Sequence, residues 1–295
     1  MKNIVVITGG AGFVGTNLIS YFLKNTKYKI LSIDNYSSGY KENHIQNKRV
    51  RYIKGDTKDI STILNSKTNN INAIFHFGEF SRIYQSFLNM EECINSNTVG
   101  SHAIFNFCLN NKIKLIYSAT SASLGNKGRD KDLSPYAFTK SINLELLENL
   151  KKWFKMKYEI IYFYNVYGPK QISKGKMATV IGIFENAYKD KKTLPVVRPG
   201  TQSRKFTHIS DTVKVCYDAW KKNKCRHYSI SSKEDYSIIE VAKLFGSKFK
   251  LLPARAGERY ASALTNMNLT NKVYKNFGKT KLKTYIEKFK KSHKK

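Results

Sequence analysis

An apolar run, Ile4-Val5-Val6-Ile7, breaks into Thr8-Gly9-Gly10-Ala11-Gly12-Phe13-Val14-Gly15, and this join limits what the chain can fold into more than any other stretch. Glycine is needed where a turn is tight, where a backbone approaches a pyrophosphate and where a helix lies close on a strand. The helix that follows offers its N-terminus to phosphate charge. The spacing G-x-x-G-x-x-G between a strand and a helix therefore predicts a dinucleotide-binding turn at Gly9, Gly12 and Gly15. A glycine motif by itself is weak, and a structural turn beside an unrelated surface Asp is the competing reading. Here Asp34 closes the second predicted strand, where a carboxylate can accept the hydroxyls of an adenosine ribose. An acid at that place repels a 2′-phosphate, so NAD is expected over NADP.

Beyond this turn, short β-branched runs alternate with amphipathic stretches. The pattern predicts strands at 3–7, 29–33, 50–53, 73–77, 114–117 and 159–164, and helices near 12–24, 59–66, 90–110 and 135–153. Such alternation belongs to the α/β class: a Rossmann-type doubly wound parallel sheet with a smaller C-terminal α/β substrate-binding lobe. After about Gly168 the rhythm loosens, with Pro169, Pro195, Pro199, Gly200 and Pro253 marking turns. We expect residues 1–168 and about 203–225 in the NAD-binding domain, and residues 169–202 and 226–295 in the lobe, ending in a frayed basic tail. A chain of 295 residues is long enough to bury a sizeable core.

The apolar run at the N-terminus stops at Thr8, short of a signal segment, and no stretch is long enough to span a bilayer, so a cytoplasmic protein with no membrane partner is expected. Cys93, Cys108, Cys216 and Cys225 lie far apart without paired spacing, which predicts ordinary thiols and no metal site. Lys and Arg total 52 against 21 Asp and Glu, a net charge of +31. The excess is scattered, and dense only at Lys288–Lys295. A solvated lysine-rich surface is the plainer reading; binding of nucleic acid or of a membrane surface is the sharper and less favoured one. On both readings the charge draws in an anionic substrate.

Tyr136-Ala137-Phe138-Thr139-Lys140 follows Pro135 and places a phenol and an ammonium on one face of a predicted helix. A tyrosine is a poor base at neutral pH until positive charge favours its phenolate, and Lys140 with an oxidised nicotinamide would supply that charge. A Tyr and a Lys four apart recur by chance in so basic a chain. The hydroxyl-rich Tyr117-Ser118-Ala119-Thr120-Ser121-Ala122-Ser123 adds weight.

Together with Gly55-Asp56, His76-Phe77-Gly78, Asn97-Thr98-Val99-Gly100, Asn165-Val166-Tyr167-Gly168-Pro169, Arg204-Lys205-Phe206-Thr207-His208 and Arg255-Ala256-Gly257-Glu258, these motifs resemble, in order and over nearly the full length, the extended short-chain dehydrogenases. Within that family the resemblance is to the NAD-dependent nucleotide-sugar epimerases and dehydratases, of the UDP-glucose 4-epimerase kind. It implies Tyr136, Lys140 and Thr120 as the catalytic set. It implies a cofactor pocket of Gly9, Gly12, Phe13, Val14, Gly15, Asp34, Asn35, Asp56, Thr57, Phe77, Gly78, Asn97, Tyr136, Lys140 and Tyr164. It implies substrate contacts from Thr120, Asn165, Arg204, Arg255, Glu258 and Ser262. Arginine suits a diphosphate because its rigid fork of donors matches phosphate oxygens.

Departures from the family pattern are informative. Leu124 stands where a Tyr is frequent, Tyr162 where an Arg is common, and Arg198-Pro199-Gly200 where Gly-Asp-Gly is frequent. Ser121-Ala122 replaces the Asp-Glu pair of the dehydratases, leaving water elimination without an evident acid or base. The resemblance thus implies 4-epimerisation of a UDP-hexose through a transient 4-keto sugar, by a likeness to enzymes that pair as homodimers. Ser262 matches a position where a small residue admits an N-acetyl group. The alternatives are a reductase or 3,5-epimerase acting on a GDP- or CDP-linked sugar, and a non-catalytic dinucleotide- or RNA-binding protein on the same fold.

Overall fold

The computed structural model describes residues 2–64, 68–123, 131–222, 224, 226–257 and 273–293. Its centre is an eight-stranded sheet. The first six strands are β1 (Ile4–Thr8), β2 (Lys29–Asp34), β3 (Val50–Lys54), β4 (Ile71–His76), β5 (Lys114–Thr120) and β6 (Tyr158–Phe163). The order across the sheet is β3-β2-β1-β4-β5-β6, followed by His227–Ser231 and Val273–Phe277, and every neighbouring pair is parallel. These strands are near-continuous apolar runs because helices cover both faces. Side chains alternate between the faces: Val6 joins one core with Leu31, Ile74, Leu115 and Leu147, while Val5 and Ile7 join another with Leu18, Phe22, Phe75 and Ile161. Helices Ser101–Asn110 and Pro135–Phe154 close the first face, and Phe13–Asn25 and Ile209–Lys222 the second.

A third core gathers Tyr167, Phe184, Leu194, Phe206, Val241, Phe245, Leu282 and Ile286. It belongs to a lobe built from helices Val180–Lys189, Ile238–Phe245 and Leu282–Ser292 and from small two-stranded sheets, among them Leu194–Val197 with Phe249–Leu252. The sheet reverses its order of growth between β1 and β4, and the lobe faces the strand ends there, which is where an open α/β sheet leaves a crevice.

Three expectations are corrected. Two strands from the stretch assigned to the lobe, His227–Ser231 and Val273–Phe277, extend the large sheet. His227–Ser231 is buried throughout although three of its five residues, His227, Ser229 and Ser231, are polar, so it lacks an apolar run. The helix expected over 90–110 is divided into Met90–Ile94, a wider π-type turn over Asn95–Gly100, and Ser101–Asn110. There the chain passes close to the Thr57–Asp59 turn, and a Cβ at Gly100 would lie 2.2 Å from Thr57 Oγ1. The basic C-terminal stretch is helical to Ser292 and docked, with Phe289 against the lobe core and Lys290 Nζ donating to Leu244 O (3.1 Å).

Cys93, Cys108 and Cys216 are buried free thiols; Cys225 lies outside the described residues. Among the described residues no cluster of three His, Cys, Asp or Glu could hold a metal, and no helix is long and apolar enough to cross a membrane.

Candidate functional site

The crevice is a cleft of about 510 Å³ between the sheet and the lobe. Its first wall is the turn after β1. Gly9 has φ +68°, and a Cβ there would come within 2.8 Å of the Phe77 carbonyl and Gly78 nitrogen at the end of β4. At Gly15 a Cβ would lie 2.2 Å from Gly9 O, so the first helix could not sit this close to the turn. Gly12 caps that helix without a side chain, leaving its first backbone N–H groups turned to the cleft end. Asp34 closes β2, with Oδ2 accepting from Ala11 N (2.9 Å) and Oδ1 from Tyr36 N (2.8 Å). Burial raises its pKa, and these N–H groups act against the rise. Asn35 Nδ2 donates to Asp56 Oδ2 (3.0 Å), fixing the loop beyond β2 to the Thr57 turn.

At the middle of the cleft stand Thr120, at the tip of β5, and Tyr136 and Lys140, one turn apart on a single helix. Ser134 caps this helix, its Oγ accepting from Ala137 N (3.1 Å), and Pro135 supplies the fixed φ of a first helical residue. Burial pushes the Tyr136 phenol up to about 12; a hydrogen bond from the Thr120 hydroxyl and the charge of Arg82 pull it down, and the charge of Glu79 pushes it further up. Lys140 Nζ forms an ion pair with Glu79, donates to Ser118 O (2.6 Å) and lies 4.7 Å from the centre of the Tyr117 ring.

Sequence reasoning missed Glu79 and Arg82. A carboxylate directly after His76-Phe77-Gly78, at the mouth of the switch point, was the available signal. Arg82 Nε donates to Met177 O (3.0 Å), joining the strand-end loop to the lobe.

On the lobe side, Asn165 Nδ2 donates to Lys205 O (3.0 Å), and Arg204, nearly buried, donates through Nη1 to Ser203 O (2.8 Å). Arg255 sits with its guanidinium 5.2 Å from the centre of the Tyr84 ring. All three line the cleft, as do Gly9, Gly12, Phe13, Val14, Gly15, Asp34, Asn35, Thr57, Phe77, Gly78, Thr120, Tyr136 and Lys140.

Three residues expected in the cofactor pocket do not line the cleft: Asn97 and Tyr164 stand behind its wall, and Asp56 is half-buried at its edge. Asn97 is fully buried, with Oδ1 accepting from Phe80 N (2.7 Å) and Nδ2 donating to Thr139 Oγ1 (3.2 Å). Tyr164 is buried with its hydroxyl 3.3 Å from Ser229 Oγ. Asp56 caps the Thr57 turn, accepting from Lys58 N (3.1 Å). Glu258, Ser262 and Leu124 lie outside the described residues. The charged groups among the described lining residues are Asp34 and Glu79 against Arg82, Lys140, Arg204 and Arg255, so the cleft carries net positive charge suited to phosphate.

A model of the NAD dependent epimerase/dehydratase family matches residues 5–231. An ADP-L-glycero-D-manno-heptose-6-epimerase of Brachyspira hyodysenteriae is 28% identical over 262 residues, covering 84% of this chain and 81% of the relative. The UDP-glucose 4-epimerase of Thermotoga maritima, solved with UDP-glucose, superposes with a TM-score of 0.83 at 21% identity, covering 99% of this chain and 100% of that one. A UDP-N-acetylglucosamine 4-epimerase of Methanobrevibacter ruminantium, in complex with UDP-N-acetylmuramic acid, gives 0.83 at 23% identity and covers 99% and 98%.

Proposed function

Because the chain belongs to the NAD dependent epimerase/dehydratase family, we propose that it inverts one hydroxyl-bearing carbon of a nucleotide-linked sugar, and that the reaction is 4-epimerisation of a UDP-hexose. The observation that carries this reading is the meeting of Thr120, Tyr136 and Lys140 in a cleft whose described lining carboxylates are both already engaged, Asp34 by backbone N–H groups and Glu79 by Lys140. Elimination of water needs a free acid and base, and Ser121 and Ala122 supply neither.

The chain's residues fit NAD on the evidence of the Gly9–Gly15 turn, whose crowded backbone tolerates no side chain at Gly9 or Gly15, and of the acid at Asp34. The turn and the helix beginning at Phe13 hold the pyrophosphate, and Asp34 meets the adenosine ribose. When bound, NAD takes up and returns the hydrogen of the reacting carbon. Tyr136 removes the proton of the sugar 4-hydroxyl and later gives it back, and Thr120 steadies that oxygen. Lys140 holds the nicotinamide ribose. Asn165, Arg204 and Arg255 hold the nucleotide diphosphate, which leaves the 4-keto sugar free to turn over and accept hydrogen on its other face.

A second reading, 6-epimerisation of an ADP-linked heptose, is favoured by the activity named for the Brachyspira relative. The test is to incubate the protein with UDP-glucose, UDP-galactose, their N-acetyl forms and the ADP-heptose, with and without NAD, and to follow the anomeric signals by NMR. Interconversion of the UDP-hexoses without net NADH is expected, falling about 10²- to 10⁴-fold in Tyr136→Phe. Turnover of the ADP-heptose alone would install the second reading.

The same proposal includes a cytoplasmic homodimer. Met90 and Ile94 on one helix and Phe138 and Ile142 on another are exposed, on helices that pack together. Burying them in a two-helix-by-two-helix contact is expected to give a dimer in sedimentation velocity, and Phe138→Glu a monomer.

A further inference from the structure

We infer that Glu79 is a positioning residue for the reacting pair: its buried carboxylate is the counter-ion that keeps Lys140 charged and aimed at the cleft. The inference rests on the reading of Lys140 as part of the site. Nothing in a Tyr-x-x-x-Lys pair requires such a carboxylate, and here its side chain is 2% exposed against 4% for the lysine. A burial this deep is tolerated for ions only when they are paired and their remaining hydrogen-bonding capacity is filled.

Glu79 meets that condition. Oε2 pairs with Lys140 Nζ, while Oε1 accepts from Ser101 Oγ (2.8 Å) and Tyr117 Oη (3.0 Å). Ser118 Oγ lies 3.4 Å from Oε2, and Asn143 Nδ2 3.5 Å from Oε1. Ser101 is fixed in turn. Because its proton goes to Glu79, its oxygen accepts from His76 Nε2 (3.0 Å), which leaves His76 Nδ1 to accept from Thr8 Oγ1 (2.8 Å). Thr8 Oγ1 accepts from Phe77 N and Gly78 N. A directed chain thus runs from the crowded loop beside Gly9 to the ammonium.

Without Glu79, the groups facing Lys140 give it no charge to balance its own. They are the Ser118 carbonyl and the Tyr117 ring from β5, Tyr136 and Asn143 from its own helix, the neutral Cys93 thiol and Asn97 from the neighbouring helical segments, neutral His76 from β4, and cationic Arg82. Burial drives a lysine toward its neutral amine, and Glu79 acts against that drive. At the Tyr136 phenol the charge of Glu79 pushes up and that of Arg82 pulls down.

The test is Glu79→Gln, which keeps the shape and removes the charge. Labelling of Lys140 by acetic anhydride, followed by mass spectrometry of its peptide from pH 6 to 10, reads its protonation directly. In Glu79→Gln the midpoint is expected at least about 2 pH units lower than in the wild type, roughly 100-fold faster labelling at pH 8. NAD affinity should then acquire an alkaline limb that Glu79→Gln/Lys140→Arg lacks, since a guanidinium stays charged. Glu79→Asp, which keeps the charge, should hold the wild-type labelling midpoint. A wild-type labelling profile in Glu79→Gln would overturn the inference even if the melting temperature fell. Absence of epimerisation would leave this readout untouched, so the two proposals fail separately.

Discussion

The two halves of the cleft are made differently. The Gly9–Asp34 half is a single βαβ unit in which a tight turn, a helix start and a strand-end carboxylate follow one another along the chain. The half around Asn165, Arg204 and Arg255 is gathered from three separated segments, held by a two-stranded pairing of Ser203–Lys205 with Asp235–Ser237 and by side-chain bonds to carbonyls. The first is fixed by backbone fit and tolerates little change. The second is fixed by side chains, so its residues can be exchanged at the expense of binding without loss of the fold.

The largest expected effect lies in the first half. Gly15→Ala places a methyl 2.2 Å from a backbone oxygen, and should lose NAD binding together with roughly 3 kcal/mol or more of stability, read by calorimetry with and without NAD. Survival of both would break the contrast. Next is a pH effect at His76 on β4, which is hydrogen-bonded to Thr8 just before the Gly9–Gly15 turn. Burial holds the His76 pKa at about 4, below its ordinary 6.5. The unfolded chain therefore binds a proton that the native one refuses, and the stability present above pH 6.5 is lost as pH falls toward 4, by on the order of 3 kcal/mol. The slope of unfolding free energy over that window should shrink in His76→Gln.

In the other half, Arg204→Ala and Arg255→Ala should each raise KM for the nucleotide sugar roughly 10- to 100-fold while leaving NAD affinity unchanged. A parallel loss of NAD would show that the halves are not separable. The smallest effect is that of Gly175→Ala. Its φ is +78° but a Cβ there meets nothing within 4 Å, so the penalty is conformational, about 1–2 kcal/mol, with no change in either affinity.

The same contrast governs what could be read from the chain in advance. β1 to β6 and the Gly9–Gly15 turn were legible because their signals are local: apolar runs, turn glycines and a capped helix. His227–Ser231 was not, because its burial comes from neighbours, Tyr162 Oη lying 2.9 Å from His227 Nδ1 and Tyr164 Oη near Ser229. Asn97 and Tyr164 sit one layer behind the cleft, a displacement no spacing encodes. Glu79 escaped notice because its partners are drawn together from β5 and two helices. The docked C-terminal helix was hidden by its lysines, whose period masks the apolar Leu282, Ile286 and Phe289.

The sheet's strand order also has a consequence during synthesis. β6 pairs with β5 on one side and with His227–Ser231 on the other. As the chain leaves the ribosome, the first six strands can assemble while the far edge of β6, with its Tyr-Glu-Ile-Ile-Tyr-Phe sequence, stays unpaired. That edge is a template for pairing with other chains until residue 231 has been made. Truncation between 164 and 226 should therefore give aggregates and not a smaller folded domain, and the late strands act as the cover that makes the finished protein safe to release.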